Sequence, residues 1–540
     1  MSELNQATLQ ANKVYPAGMT RIFGETPAST DGVVFHSHGT VLICGASAVG
    51  ATDAARRLLA RASDLRVVVF APGIDAVADL PRAVTRVGGR IASVKGHLGS
   101  FTATVPVGSG QQEDAGIFSP NSDRVFDLVL DLFATPLLQS SVPPVGYFAA
   151  GDSTTAVVRA LETLPSLVGI FHKPKFFDYQ TALCSHRVNG VAGCNRCLDV
   201  CAAQAIRSSA TGIEVDPYLC QGCASCALVC PSGAMRLRVP TASDLAAGMA
   251  RSGAPGEVRK DILLVHDTAA QAAVDAIESI RVRRLEVNPL PAFTELLWLQ
   301  ALAQGYAAVR LVFSPELPIL TRDVIKARVA EMRDILGAIG RDPAALAAVD
   351  VQGLAASIRS VAAAPAASPA LSIGNGAGKR ASLLGAIDRL TRKNLCKASV
   401  PLPVGAPFGK VAVDARSCTL CLACVKTCPT QALSGRMAPT PLIGFQESLC
   451  VQCGLCRAVC PEKAISLQAR FVTDPARRNE VRIINQGELL PCSRCNTPFI
   501  GRHFLANSIR MMQARPGALP GAADFLRLCP SCRQRGTTSS

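Results

Sequence analysis

Fifteen of the chain's 22 cysteines fall into four close runs whose spacing suits metal chemistry. Cys418, Cys421, Cys424 and Cys428 read C-x2-C-x2-C-x3-C with Pro429 next, and Cys450, Cys453, Cys456 and Cys460 repeat the pattern with Pro461. Three thiolates on so short a loop reach three corners of one iron–sulfur cubane. The fourth leads away on the following turn, where proline sets φ and removes an amide donor. An earlier run, Cys220, Cys223, Cys226 and Cys230 with Pro231, has the same spacing. Before it stand Cys194, Cys197 and Cys201, spaced C-x2-C-x3-C and one cysteine short. The nearby candidate is Cys184, separated from Cys194 by nine residues. Asn189-Gly190 lies between them, a turn signal that lets the backbone loop out and return. The alternative for Cys184 is a free thiol beside a three-iron cluster, and the alternative for the whole set is zinc.

The hexapeptides that begin at each fourth cysteine echo one another: CAAQAI, CPSGAM, CPTQAL and CPEKAI. Each sets alanine before an apolar residue at the same offset, which suggests a short helix packed over a cluster. In the first copy Ala202 stands where the others have proline. These linked motifs, over about residues 180–240 and 405–470, resemble the bacterial two-cluster [4Fe–4S] ferredoxin fold. In that family the fourth cysteine of each motif ligates the other cluster. The resemblance therefore implies four ligand sets. They are Cys184, Cys194, Cys197 with Cys230; Cys220, Cys223, Cys226 with Cys201; Cys418, Cys421, Cys424 with Cys460; and Cys450, Cys453, Cys456 with Cys428.

Toward the C-terminus, Cys492-x2-Cys495 and Cys529-x2-Cys532 form two knuckles separated by HFLANSIRMMQ, a helical pattern. Paired knuckles resemble a zinc ribbon, in which four thiolates close a tetrahedron and leave no open position, so a structural zinc ion is implied. A fifth iron–sulfur cluster is the rival on ligand type.

Composition narrows the class. The chain is 49% hydrophobic and 18% charged, which indicates a globular protein with well-buried cores. MSELNQATLQ has neither the basic start nor the apolar run of a secretory signal. LLWLQALAQGYAAVRLVF is interrupted by Gln300, Gln304 and Arg310, which argues against a bilayer span. Many cysteines without an export signal suggest a reducing, cytoplasmic setting and metal ligation. The formal charge of +15 invites a nucleic-acid reading. Four oxidised cubanes on sixteen thiolates would subtract about 8, and a Zn(Cys)4 site about 2. Roughly +5 remains, and nucleic-acid binding loses most of its support.

The surrounding sequence reads as α/β. TVLIC, LRVVVFA and RVFDLVLDL are strands, ATDAARRLLARA is a helix, and RIASVKGHLGSFTATVPV is a hairpin. Gly45 and Gly50 are spaced as in a Walker loop, but Ala51 stands where the phosphate-binding lysine would be, so a tight strand–helix turn is expected. Further on, DILLVHD, RRLEVNP and AAVRLVFSP alternate with the helix PAFTELLWLQALAQGY, which favours a parallel sheet. Cys44 reads as a buried small residue, Cys396 has no partner cysteine nearby, and His36 and His38 read as a solvated loop, with a two-histidine metal site as the alternative.

The expected class is α/β with α+β ferredoxin-like modules. Residues 1–165 form an N-terminal α/β domain, 166–245 a dicluster module, and 246–342 a second α/β domain. An Ala/Pro-rich linker over 343–400 leads to a second dicluster module over 401–475 and a zinc-ribbon-like domain over 476–540. The linker leaves the distance between the two modules undetermined.

Fully ligated cubanes offer no open iron to substrate, so one-electron transfer is their ordinary task. FDLVLDL, PKFFDYQTALCSHRVNGVAGCNRCLDVC and the terminal CSRC…CPSC resemble bacterial multi-cluster ferredoxin-type proteins, some of them associated with formate dehydrogenase. That resemblance implies a carrier or subunit serving a dehydrogenase. An oxidoreductase with its own flavin or nicotinamide site in the α/β domains is a second reading, weakened by the missing dinucleotide fingerprint. A redox-sensing or assembly scaffold is a third.

Overall fold

Short, continuous apolar runs bounded by turns suit strands buried on both faces of a parallel sheet. In the computed structural model, TVLIC (Thr40–Cys44) is such a strand, buried along its whole length. The structure describes residues 32–77, 80–107, 111–251, 261–279, 281–361, 378–392, 397–514 and 522–536. Thr40–Cys44 is central in a parallel sheet of order Val84–Gly88, Arg66–Ala71, Thr40–Cys44, Leu128–Asp131, Tyr147–Ala149. The helices Ala48–Leu59 and Thr154–Thr163 cover one face. On the other face packs the expected hairpin, Ser93–His97 with Ser100–Val107, to which Gln111–Asp114 adds a third strand.

The Gly45–Gly50 segment is a strand–helix turn. Ser47 caps the helix by accepting a hydrogen bond from the Gly50 amide at 3.3 Å, and a side chain at Gly45 would meet Leu132 Cβ at 3.0 Å. Cys44 is wholly buried, and burial followed by the nearby Asp131 carboxylate pushes its thiol well up. His36 lies in the strand Gly32–Ser37, which pairs with Gly169–Pro174, while His38 is exposed and reaches to within 3.7 Å of buried Asp127.

Each cysteine-rich module is built from two antiparallel pairs. In the first, the strand before the first motif, Phe177–Tyr179, pairs with the strand after the second, Met235–Leu237, and Ile206–Ser209 pairs with Gly212–Val215 between the motifs. The second module repeats this with Gly409–Val413 against Ile465–Val472, and Leu433–Arg436 against Leu442–Gln446. Val481–Gln486 adds a further strand to the second pair, so this sheet runs past the expected boundary at 475.

The second α/β region is a four-stranded parallel sheet of order Val282–Glu286, Ile262–His266, Ala308–Phe313, Leu346–Asp350. The helix Glu295–Ala303 is apolar nearly all round and correspondingly buried nearly all round, Glu295 and Gln300 included.

The linker expected over 343–400 requires correction. Leu346–Asp350 is the sheet's fourth strand, and Lys379–Leu390 is a helix that buries Leu383, Leu384, Ala386, Ile387 and Leu390. Ala/Ser/Gly composition concealed both, because a short edge strand and one amphipathic helix give little periodicity in such a run. Residues 362–377, with most of VAAAPAASPA, and Cys396 lie outside the described residues.

The largest core joins this region to both modules. It holds Trp298, Phe293 and Ile387 together with Ala224 and Leu228 of the first module and Leu402, Phe408 and Phe471 of the second. Among the described residues no helix is long and apolar enough to cross a membrane. Because Ile387 is wholly buried in that shared core, Ile387→Ala is expected to cost about 2–5 kcal/mol. Anaerobic denaturant unfolding checks it. A helix lying loose in a linker would lose less than about 0.5 kcal/mol.

Candidate iron–sulfur centres and the terminal cysteine cluster

The cysteine loops turn by placing non-glycine residues in a conformation that L-residues seldom adopt. Within C-x2-C-x2-C, φ is positive at Gly222 and Ala224, at Leu420 and Leu422, and at Gln452 and Gly454. Such turns aim successive amides at one concavity. The first cysteine of a motif accepts from the amide two residues on, as in Leu420 N to Cys418 Sγ at 3.4 Å. The amides of Gly222 and Gln452 likewise hold down the thiols of Cys220 and Cys450, against the upward push of burial.

Cys184 behaves as a first cysteine by the same measure, because the His186 amide donates to its sulfur at 3.4 Å. The residues between Cys184 and Cys194 form a small hairpin, Arg187–Val188 against Val191–Ala192, with Asn189 and Gly190 at positive φ at its tip. The hairpin returns the chain so that the Cys194 amide bonds Ser185 O at 2.9 Å. Buried His186 fastens the base, with Nδ1 2.9 Å from Cys194 O and Nε2 2.8 Å from Ser208 Oγ.

The structure brings the cysteines together in quartets. One cavity is walled by Cys418, Cys421, Cys424 and Cys460, with Ile443 and Ile465. Another is walled by Cys201, Cys220, Cys223 and Cys226, with Phe176 and Phe177. Burial pushes the Cys197 thiol up to about 12, and its neighbours Cys194, Cys230 and Cys184 push the same way. Burial likewise raises Cys456, with Cys450, Cys453, Cys424 and Cys428 as the neighbours that add to it. Such crowding opposes thiolates in the bare protein and suits bound cations, which hold coordinating thiols deprotonated. Apolar walls, convergent sulfurs and amides aimed at those sulfurs fit an iron–sulfur cluster.

The hexapeptide echo has a different meaning from the one expected. The short helices, Arg196–Asp199, Ser225–Val229, Ala423–Thr427 and Leu455–Val459, precede each fourth cysteine. After it the chain turns through Gln204, Gly233, Gln431 or Lys463, all at positive φ, and enters a strand. The shared apolar residue is the buried start of that strand and the alanine the buried residue before it; Ala234 and Met235 are each 2% exposed. In the first two copies an amide of this turn bonds the fourth sulfur: Ala205 N to Cys201 at 3.2 Å and Met235 N to Cys230 at 3.4 Å.

The terminal cysteines form a tighter group. Strands Leu489–Pro491 and Pro498–Gly501 present Cys492 and Cys495, and the helix Arg502–Gln513 follows. Cys529 and Cys532 return at the helix Pro530–Gly536, so that all four sulfurs lie within 4.8 Å of one another. Burial raises the Cys492 thiol, but the amides of Cys529, Cys495 and Arg494 outweigh it and hold the group below the usual thiol range. This metal-ready cluster leans on the second module through Asn507 Nδ2, which donates to Glu462 Oε1 at 2.5 Å.

Comparison with known families agrees with the two cysteine-rich modules. A family model described as a 4Fe-4S dicluster domain matches residues 192–234, and another of the same description matches residues 417–465. Cys184 lies upstream of the first matched segment, so sequence spacing and the hairpin are its signals. No curated protein matches the chain. The chain carries two 4Fe-4S dicluster ferredoxin modules in tandem, within a mixed α/β structure, and iron–sulfur electron transport is the role they bring.

Proposed function

We propose that this chain is an electron-transfer protein with four [4Fe–4S] clusters and one zinc ion, acting as a carrier or subunit for a dehydrogenase such as formate dehydrogenase. The observation that carries the reading is the cavity walled by Cys418, Cys421 and Cys424 together with Cys460 of the following motif. That is the interlaced set expected of a dicluster fold, and the Cys201 cavity repeats it. Cys184, Cys194, Cys197 and Cys230 would hold one cluster, and Cys428, Cys450, Cys453 and Cys456 another. Each cubane, when bound, takes up and releases one electron. The chain's own residues fix the sulfurs, aim amides at them and exclude water with Phe176, Phe177, Ile443 and Ile465.

For the terminal cluster the spacing supports a single ion. Zinc–sulfur bonds of about 2.3 Å place tetrahedral sulfurs roughly 3.8 Å apart, which accords with Cys495 and Cys529 at 3.6 Å. A cubane holds its thiolates farther apart. A cytoplasmic setting rests on the chemistry of the thiols, which a reducing compartment keeps available for metal. The dehydrogenase partner rests on the resemblance of the cysteine-rich segments alone.

Anaerobically purified protein is expected to contain about 16 iron, 16 sulfide and one zinc per chain. Iron near half that value in intact protein contradicts the four-cluster reading. Cys184→Ser is expected to remove between about one and four of those iron atoms and to alter one EPR signal selectively. Unchanged iron and an unchanged spectrum reject Cys184 as a ligand.

A further inference from the structure

The two modules meet at their inner cysteine sets. Leu455 of the second module packs on the backbone beside Cys194 of the first, at Gly193. Gly193 permits this approach: a Cβ there would lie 2.6 Å from Leu455 Cγ and 2.6 Å from Ser185 O. Leu455 opens the helix that carries Cys456. Within the modules, Cys201 walls the Cys220 cavity and Cys460 walls the Cys418 cavity, so each of these fourth cysteines ties one set to the other. The four sets therefore follow one another: the Cys418 set, the Cys450 set, the Cys194 set and the Cys220 set.

Arginine and lysine side chains occupy the meeting point. Half-buried Arg196 stands between Cys194 and Cys197 in sequence, with Nη1 3.7 Å from Cys194 Sγ and 3.2 Å from Val451 O. Val451 lies between Cys450 and Cys453. Nε and Nη2 of Arg196 also bond Gly405 O, at 3.3 and 2.9 Å. The helix Lys379–Leu390 reaches both modules with its first two residues. Lys379 Nζ donates to Ala227 O and Leu228 O, each at 2.7 Å, beside Cys226 and Cys230. Arg380 donates to Ser448 O at 2.6 Å and Pro407 O at 2.9 Å, beside Cys450, and lies over the Phe408 ring. Behind them, buried Glu295 pairs with Arg328 at 2.7 Å and with Lys379 at 4.0 Å, and Arg328 also pairs with Glu331. Four cations thus face two carboxylates.

We propose that this cationic junction joins the two modules into one four-centre electron path, and that Arg196 makes the two facing inner sites easier to reduce. The inference rests on the four-cluster reading above. Two oxidised sites would carry about −2 each, and charges brought together away from water repel strongly. The surplus cations offset that repulsion. A donor on Cys194 Sγ favours the reduced state of the Cys194 site, because hydrogen bonds to sulfur and nearby positive charge are what set a cluster's potential. The same guanidinium is anchored on the Cys450–Cys453 loop, so its charge acts on both inner sites.

The test is an EPR-monitored redox titration of the whole, anaerobically purified protein, with Arg196→Gln and Arg196→Lys beside it. Signals are assigned to sites through Cys→Ser variants of each quartet. In Arg196→Gln with full iron, both inner midpoints should fall by about a tenfold change in the reduction equilibrium, ~59 mV for one electron. The outer two should stay in place, and Arg196→Lys should move the inner pair less. Inner midpoints that do not move, or four that move together, overturn the assignment to Arg196. If Arg196→Gln does not retain iron, Arg380→Gln carries the same test on the Cys450 site, where an unmoved midpoint overturns the junction's tuning role. Fewer than four centres in the unaltered protein defeat the four-cluster reading, and this inference with it. Four centres with unmoved inner midpoints defeat this inference alone.

Discussion

Thiols gathered against one another in apolar surroundings form the constraint on which both modules depend. Burial and mutual repulsion push Cys197 and Cys424 to about 12, and the groups that repel them are other cysteines of their own sets. A bare chain gains nothing by ionising such groups, whereas a bound metal centre favours their thiolates and draws the sulfurs inward. The unusual backbone follows from the same demand. Leu420, Leu422 and Gln452 accept positive φ because the loop must close around a centre with amides aimed inward. The Gln204, Gly233, Gln431 and Lys463 turns let each fourth cysteine leave one set and the chain re-enter a strand. Metal ligation and folding of these modules are therefore one process.

That process extends beyond the modules, because the first has only a small core of its own and the second, built on Ile443, Phe445 and Ile465, still leans outward through Phe408 and Phe471. The small apolar group of the first module centres on Phe177, Ile206, Ile213 and Met235. The extensive core belongs to the second α/β region, and both modules lean on it through Leu228 and Phe408. The helix Lys379–Leu390 does two things there: its apolar face completes that core, and its first two residues reach the loops beside Cys230 and Cys450. An α/β region in this position seats both modules on one shared core.

The local features of this arrangement were legible in the sequence, and the long-range ones were not. Ligand spacing is imposed by geometry within about ten residues, so C-x2-C-x2-C-x3-C-P could be read directly. Continuous apolar runs such as TVLIC and ILLVH announced strands for the same local reason, and alternation with a helix announced the parallel sheet of the second α/β region. The hexapeptide echo was visible, yet its period does not distinguish a helix from a turn entering a buried strand; the positive φ at Gln204 and Lys463 leaves no mark on residue type. The helix Lys379–Leu390 was hidden by the composition around it. Arg196 carried no signal at all. Its partners Gly405 and Val451 are 209 and 255 residues away, and only the folded core brings them within reach.

The departures of the first module from the shared repeat fall where other parts of the protein press on it. Its extra hairpin ends beside Gly193, where the backbone meets Leu455 of the second module. Ala202, which replaces proline, is 3% exposed beneath the N-terminal domain. Its carbonyl accepts from Ser140 Oγ at 2.7 Å and from the Val142 amide at 3.2 Å, while Gln204 reaches Gln139 O at 3.2 Å. The prolines of the other copies are half-buried or exposed, where a ring is easily housed. The irregular copy of the motif is thus the one shaped by its interfaces, with the second module on one side and the N-terminal domain on the other. Cys184 stands just before that hairpin, its sulfur accepting from the His186 amide at 3.4 Å, so the widened spacing to Cys194 is the length of the hairpin itself.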